Sequence, residues 1–158
     1  MAELMEKAES ASKVTAGGEK LVGTLRCFVS AWSAPKEVEV SEQDAYIVKF
    51  RPIKQDISCL STQATGLKRN RFTWDDAEAS LDLLHLEGML KITLIKLLPG
   101  KSAEESNKLA STQVALNRIC DLDAAPDSKP NYFSLDLANE EGRYGSLGVK
   151  FKFEPNTE

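Results

Sequence analysis

The stretch "SLGVKFKFEP" at residues 146–155 sets Val149, Phe151 and Phe153 at alternate positions, with Lys150 and Lys152 between them. Side chains of an extended chain point to opposite faces with a period of two, so this run is a strand with one greasy and one solvated face. Such a strand must hide its apolar face against another layer. A chain built mostly of such runs is therefore restricted to sheets packed on sheets.

The same pattern recurs along the chain. "KLVGTLRCFVSAW" alternates Leu25, Cys27 and Val29 with Thr24, Arg26 and Phe28. "DAYIVKFR" follows an acidic, proline-containing loop and ends at Pro52, while "DISCLSTQ" alternates Ile57 and Cys59 with Ser58 and Leu60. "RFTWDDAEASLDLL" places Phe72 and Trp74, then Leu81 and Leu83, on one inner face across an irregular middle. "MLKITLIKLL" alternates Leu90, Ile92 and Leu94 with Lys91 and Thr93 and stops at Pro99-Gly100. "LASTQVALNRI" fits either strand or helix, whereas "NYFSLDL" is a strand by its β-rich alternation. With the closing run this predicts eight strands, all antiparallel, in an all-β sandwich of two sheets.

The sandwich is expected over residues 21–154. Residues 1–20, rich in Ala, Glu, Ser and Lys and ending in Gly17-Gly18, read as a flexible tail, and 155–158 as a short C-terminal one. At 158 residues the chain suits one domain with a core of its own. The N-terminus lacks the apolar run of a secretory signal, and no segment approaches the ~20 apolar residues of a membrane helix. With Ala2 rather than glycine second and no prenylation box in "EPNTE", no lipid anchor is expected. A cytoplasmic protein, peripheral to a membrane or the cytoskeleton, is the expectation.

Formal net charge is −4, from 20 basic and 24 acidic side chains, which argues against nucleic acid as a partner. Cys27, Cys59 and Cys120 are widely separated in sequence and form no ligand spacing with His85, the only histidine; reduced, mostly buried thiols and no metal are expected. Asp75 and Asp76 beside Trp74 are candidate paired carboxylates. They sit where acids commonly solvate a strand edge, and no nucleophile elbow, phosphate loop or dinucleotide fingerprint accompanies them. The chain reads as no enzyme, with no catalytic residues and no cofactor.

The order of these segments resembles a C2 domain. "GTLRCFVSAW" is similar to the family's first strand, and "SEQDAYIVKFR" to its Asp-Pro-Tyr-Val segment, with Asp44, Tyr46 and Val48 aligned and Ala45 where proline is usual. "NRFTWDDAEASLDL" resembles the Asn-Pro-x-Trp-Asn-Glu segment through Asn70, Trp74 and Asp75. "MLKITLIKL" resembles the Leu-x-Ile-x-Val strand and "LASTQVALNRI" the strand after it, with Ala110 where glycine is usual; "NYFSLDL" and "GSLGVKFKF" resemble the closing pair. The resemblance spans residues 21–154 and implies an eight-stranded C2-like sandwich.

It also implies what is missing. Calcium-binding C2 domains hold their ions with about five aspartates, since a hard cation wants several anionic oxygens. Here Asp44 keeps its place, but the second aspartate loop is replaced by Lys96-Leu97-Leu98-Pro99-Gly100-Lys101. The stretch "KLLPGKSAEESNKLASTQVALNRI" is similar to the N-terminal C2 subtype of adaptor proteins, which lacks the aspartates as well. Calcium-free members bind phospholipid headgroups through a basic face, or bind proteins. The resemblance thus implies a calcium-independent module for membrane tethering or scaffolding in a larger assembly, with anionic phospholipid as partner. A purely protein-protein module, such as a cytoskeletal complex subunit, is the alternative, and oligomeric state stays open. The lipid-binding candidates are Lys49, Arg51 and Lys54 with Lys68, Arg69 and Arg71, expected to converge across a turn at Pro52. Lys150 and Lys152 form a secondary basic face.

Overall fold

The structure, a computed structural model, describes residues 21–120 and 129–156; the expected tail at 1–20 lies outside them. The described residues form nine strands and one helical turn. In chain order these are β1 (Gly23–Ser33), β2 (Ala45–Pro52), β3 (Cys59–Leu60), β4 (Gly66–Lys68), β5 (Arg71–Leu83), β6 (Met89–Leu97), β7 (Asn107–Ala115), α1 (Leu116–Ile119), β8 (Asn131–Asn139) and β9 (Gly142–Pro155).

All pairings are antiparallel, in the order β3-β2-β6-β7-β8-β9-β1-β5-β4. Between β7 and β8 the ladder thins to the one pair Ser111 and Ala138, and there the strands separate into two layers. One layer is β3-β2-β6-β7, the other β8-β9-β1-β5-β4. The layers meet face to face through side chains such as Phe50 and Phe151, whose rings cross edge to face at 6.3 Å. The all-β sandwich read from alternation is the observed architecture.

Each of the eight expected strands is present, with β4 added. "DISCLSTQ" contracts to the two-residue β3, because the chain here leaves one layer for the other. Ser61 N–H donates to Val48 O at 2.8 Å and Ala64 N–H to Tyr46 O at 3.0 Å, and then Thr65 N–H turns to Thr73 O at 2.8 Å. "LASTQVALNRI" proves to be both alternatives: a strand to Ala115, then one helical turn that buries Leu116 and Ile119. β9 runs on to Pro155, and Asn156 N–H donates to Val22 O at 2.9 Å, so the sheet continues past residue 154.

The irregular middle of β5 has a definite cause. Opposite β1 the register jumps from Val29–Ala77 to Ala31–Thr73, and opposite β9 from Val29–Val149 to Ala31–Gly148. The extra residues reverse the parity of β5 and of β1, so Leu83 and Leu81 and then Trp74 and Phe72 all face the core. In β1 the same reversal takes the inward set from Leu25, Cys27 and Val29 to Trp32.

Trp32 anchors that end of the core. Its ring lies 5.1 Å from Tyr46 and 5.8 Å from both Phe72 and Tyr144, and its indole N–H donates to Tyr144 O at 3.2 Å. Large aromatic surface is buried here while the polar handle stays satisfied. Gly145, with φ +86°, lets β9 pass this ring, since a Cβ there would strike Ser33 O and come within 2.9 Å of the indole nitrogen.

Candidate functional site

The outward faces of β2, β6 and β7 carry the candidate site. Cross-strand registers put Arg51 opposite Lys91, Lys49 opposite Thr93, and Lys91 and Thr93 opposite Gln113 and Ser111. A bulge between Leu94 and Ile95 brings Lys108 opposite Ile95 on the same side. The result is a shallow groove of about 310 Å³ whose lining includes Lys49, Arg51, Lys91 and Lys108, floored by Thr93, Ala110 and Ser111.

Two carboxylates meet these four cations. Glu140 stands on the rim, and Glu104, from the loop after β6, takes a hydrogen bond from Lys49 Nζ at 3.0 Å. That bond, with the attraction of Lys49 and Lys108, holds the Glu104 carboxyl below its ordinary pKa. The Lys49 side chain keeps only 17% of its exposure, so its stem lies along the sheet and its ammonium faces the groove. With four cations against two carboxylates, the groove is a net cationic surface. It suits a ligand with several anionic oxygens.

The basic residues expected from sequence do not all gather here. Lys49 and Arg51 line the groove. Lys54 lies just past the end of β2, its stem over Gly88, where a Cβ would sit 3.1 Å from Lys54 Cδ. At that same end Gln55 accepts from Leu84 N–H at 2.7 Å and donates to His85 O at 3.1 Å, just past the C-terminus of β5. Lys68 and Arg71 instead flank the β4–β5 turn, where Arg69 takes φ 59°. That turn is tied to the end of β1 by Ala34 N–H donating to Asn70 O at 2.8 Å and Asn70 Nδ2 donating to Pro35 O at 3.2 Å. The β4–β5 turn lies at the Arg71 end of β5, whereas Gln55, next to Lys54, bonds to Leu84 beyond its other end. After the turn at Pro52, where Gln55 N–H donates to Pro52 O at 3.4 Å, the chain pairs as β3 with β2 and then crosses to the other layer at Thr65, so Lys68, Arg69 and Arg71 stand on the layer of β5.

Lys150 and Lys152 project from the outer face of the other layer, opposite Phe28 and Arg26 of β1. Acids temper that face: Arg26 pairs with Glu78 at 2.8 Å and with Glu154 at 3.2 Å. The hydrogen bond to Arg26 holds the Glu78 carboxyl below its ordinary range. Lys91 and Lys108 were not singled out in the sequence. The signal that finds them is register, because Lys91 sits directly across from Arg51.

At the far end of β2 and β6, Asp44 Oδ1 lies 3.6 Å from Lys96 Nζ, while its other oxygen accepts from Ser41 N–H at 3.1 Å and Tyr46 OH at 3.4 Å. Asp44 thus faces Lys96 across the pairing of β2 with β6. Among the described residues no three His, Cys, Asp or Glu side chains converge on a point where a metal would sit.

Of the two candidate carboxylates beside Trp74, the Asp76 side chain lies outside the described residues. Trp74 is buried, its indole N–H donating to Thr62 O at 2.9 Å, and Asp75 is exposed. His85 lies beyond the other end of β5, where its Nδ1 accepts from Glu87 N–H at 3.3 Å. Cys27, Cys59 and Cys120 are all free thiols. Burial raises all three, Cys59 and Cys120 to about 12, which keeps the nucleophilic thiolate scarce.

No protein-family model matches the chain. The search of curated proteins likewise returns no match. Solved structures do match. The C2A domain of a plant extended synaptotagmin 1 superposes with a TM-score of 0.65 at 18% identity, covering 88% of this chain and 99% of that one. A C2 domain-containing protein from a putative elicitor-responsive gene gives 0.62 at 13% identity, covering 94% and 95%. Extended synaptotagmin 2, as its SMP, C2A and C2B domains, gives 0.53 at 11% identity, covering 84% of this chain and 28% of that one. No helix among the described residues is long and apolar enough to cross a membrane. Strand order, packing and these neighbours agree, and the chain has the fold of a C2 domain.

Proposed function

We propose that this protein is a non-enzymatic C2 module that binds anionic phospholipid headgroups without calcium and serves as a peripheral membrane tether within a larger assembly. The observation that carries the reading is the groove in which Lys49, Arg51, Lys91 and Lys108 converge from three adjacent strands. Each lysine or arginine brought to an anionic leaflet contributes ~1 kcal/mol, so four together sustain reversible binding despite the overall charge of −4. Screening confines the effect of distant acids, since charges beyond ~8 Å are largely masked at physiological salt. The Lys96–Asp44 pair supports calcium independence, because an ammonium already faces the carboxylate a cation would need.

Flotation on phosphatidylcholine vesicles with and without a phosphoinositide tests this. Wild type should float only with the anionic lipid. Lys91→Gln with Lys108→Gln should sink, whereas Lys68→Gln with Arg69→Gln and Arg71→Gln should still float. If wild type fails to float at low salt, the lipid reading is lost and a protein partner replaces it.

A further inference from the structure

Among the described residues the exposed large hydrophobics are Ile53, Leu60, Met89 and Tyr132. Three of them share the outer face of the layer that holds the groove. Leu60 on β3 pairs with Lys49 and is 46% exposed. Ile53 continues the outward series Lys49 and Arg51 and is 41% exposed. Met89, 36% exposed, precedes Lys91 by two residues on β6 and so shares its face. Ile53 N–H donates to Met89 O at 2.9 Å, which places the two residues side by side. Lys54 closes this end with its stem over Gly88.

A single exposed leucine or methionine is ordinary on a protein surface. Apolar tips interleaved with cations on one sheet face are a different matter. Water disfavours the tips, and an anionic bilayer interface offers phosphates to the cations and acyl chains to the tips. We infer that the β3-β2-β6 face is a bilayer-insertion surface, on which Ile53, Leu60 and Met89 enter an anionic leaflet while Lys49, Arg51 and Lys91 hold its headgroups. The inference rests on the headgroup-binding reading and adds that an intact bilayer is required for full affinity. It also orients the domain, with β2 and β6 against the membrane and the β9-β1 face turned away.

The full chain carrying Ile53→Ser, Leu60→Ser and Met89→Ser is compared with wild type in two assays. One is flotation on phosphatidylcholine vesicles containing a phosphoinositide, and the other is titration with soluble inositol 1,4,5-trisphosphate. The triple variant should bind the soluble probe as wild type does and lose at least tenfold in vesicle affinity. Equal vesicle affinity for the two proteins overturns the insertion surface while leaving the groove standing. Failure of wild type to bind either probe removes the groove reading and the insertion with it. As a second readout, Ile53→Cys labelled with an environment-sensitive dye should blue-shift on anionic vesicles; an unmoved spectrum overturns insertion even if binding persists.

Discussion

Lys49 Nζ lies 3.0 Å from Glu104 Oε1, so a carboxylate from the loop after β6 already occupies one cation of the basic groove. The partner acid is exposed, so the pair does little for stability. Its consequence is for ligand binding, because an anionic headgroup entering the groove would have to displace or share that contact. Glu104→Gln should therefore tighten binding to phosphoinositide vesicles about fivefold, with the melting temperature unmoved. Unchanged or weaker binding in co-sedimentation would separate the loop from the ligand site.

Asp44 and Lys96 lead to a second expectation. Millimolar calcium should leave the thermal midpoint where it is in magnesium or chelator. A binding cation stabilises the folded state by an amount that grows with its concentration, so an occupied site would raise the midpoint. A rise of several degrees in scanning fluorimetry would contradict the reading of this end of the sandwich.

Trp74 fills the slot created by the register jump in β5 and is 5% exposed. Trp74→Ala should cost about 3–5 kcal/mol in urea unfolding, through lost burial and the cavity left behind. Trp74→Phe keeps most of the apolar surface but leaves Thr62 O without its indole donor. It should still cost about 1–3 kcal/mol. A midpoint within a degree or two of wild type for the alanine variant would contradict the placement of this side chain.

The three thiols supply a pH argument. Burial raises Cys59 and Cys120 to about 12 and Cys27 higher than its ordinary value, so at pH 8 each is overwhelmingly protonated in the folded protein. Unfolding returns them to about 8.5, and the thiolate fraction rises sharply. Iodoacetamide at pH 8 should modify the native protein slowly and the urea-unfolded protein quickly at all three positions, read by intact mass. Rapid labelling of Cys27 in native buffer would contradict its burial on β1.

Much of this architecture was legible in the sequence because alternation and burial are the same fact seen twice. Val149, Phe151 and Phe153 point inward for the reason that Lys150 and Lys152 point out, and the parity change from Leu83 to Trp74 announced the bulge. β4 was not legible, since Gly66-Leu67-Lys68 is too short to show a period and owes its existence to pairing with Phe72 and its neighbours. The groove was half legible. Lys49 and Arg51 declared an outward basic series, but Lys91 and Lys108 join it only through the pairing of β2 with β6 and of β6 with β7. β2 and β6 are not consecutive strands, and nothing local marks them as neighbours. The layer that carries Lys68, Arg69 and Arg71 was not legible for the converse reason: nearness in sequence across Pro52 hides a passage from one layer to the other.

Anions should bind where β2, β6 and β7 present their cations. The most direct measurement is a backbone amide NMR titration of the ¹⁵N-labelled chain with inositol 1,4,5-trisphosphate in calcium-free buffer. Saturable shifts should concentrate at Lys49, Arg51, Lys91, Thr93, Lys108 and Ser111, with Arg26, Lys150 and Lys152 still. Shifts centred on that second face, or on the Lys68–Arg71 turn, or none at millimolar probe, would contradict that expectation.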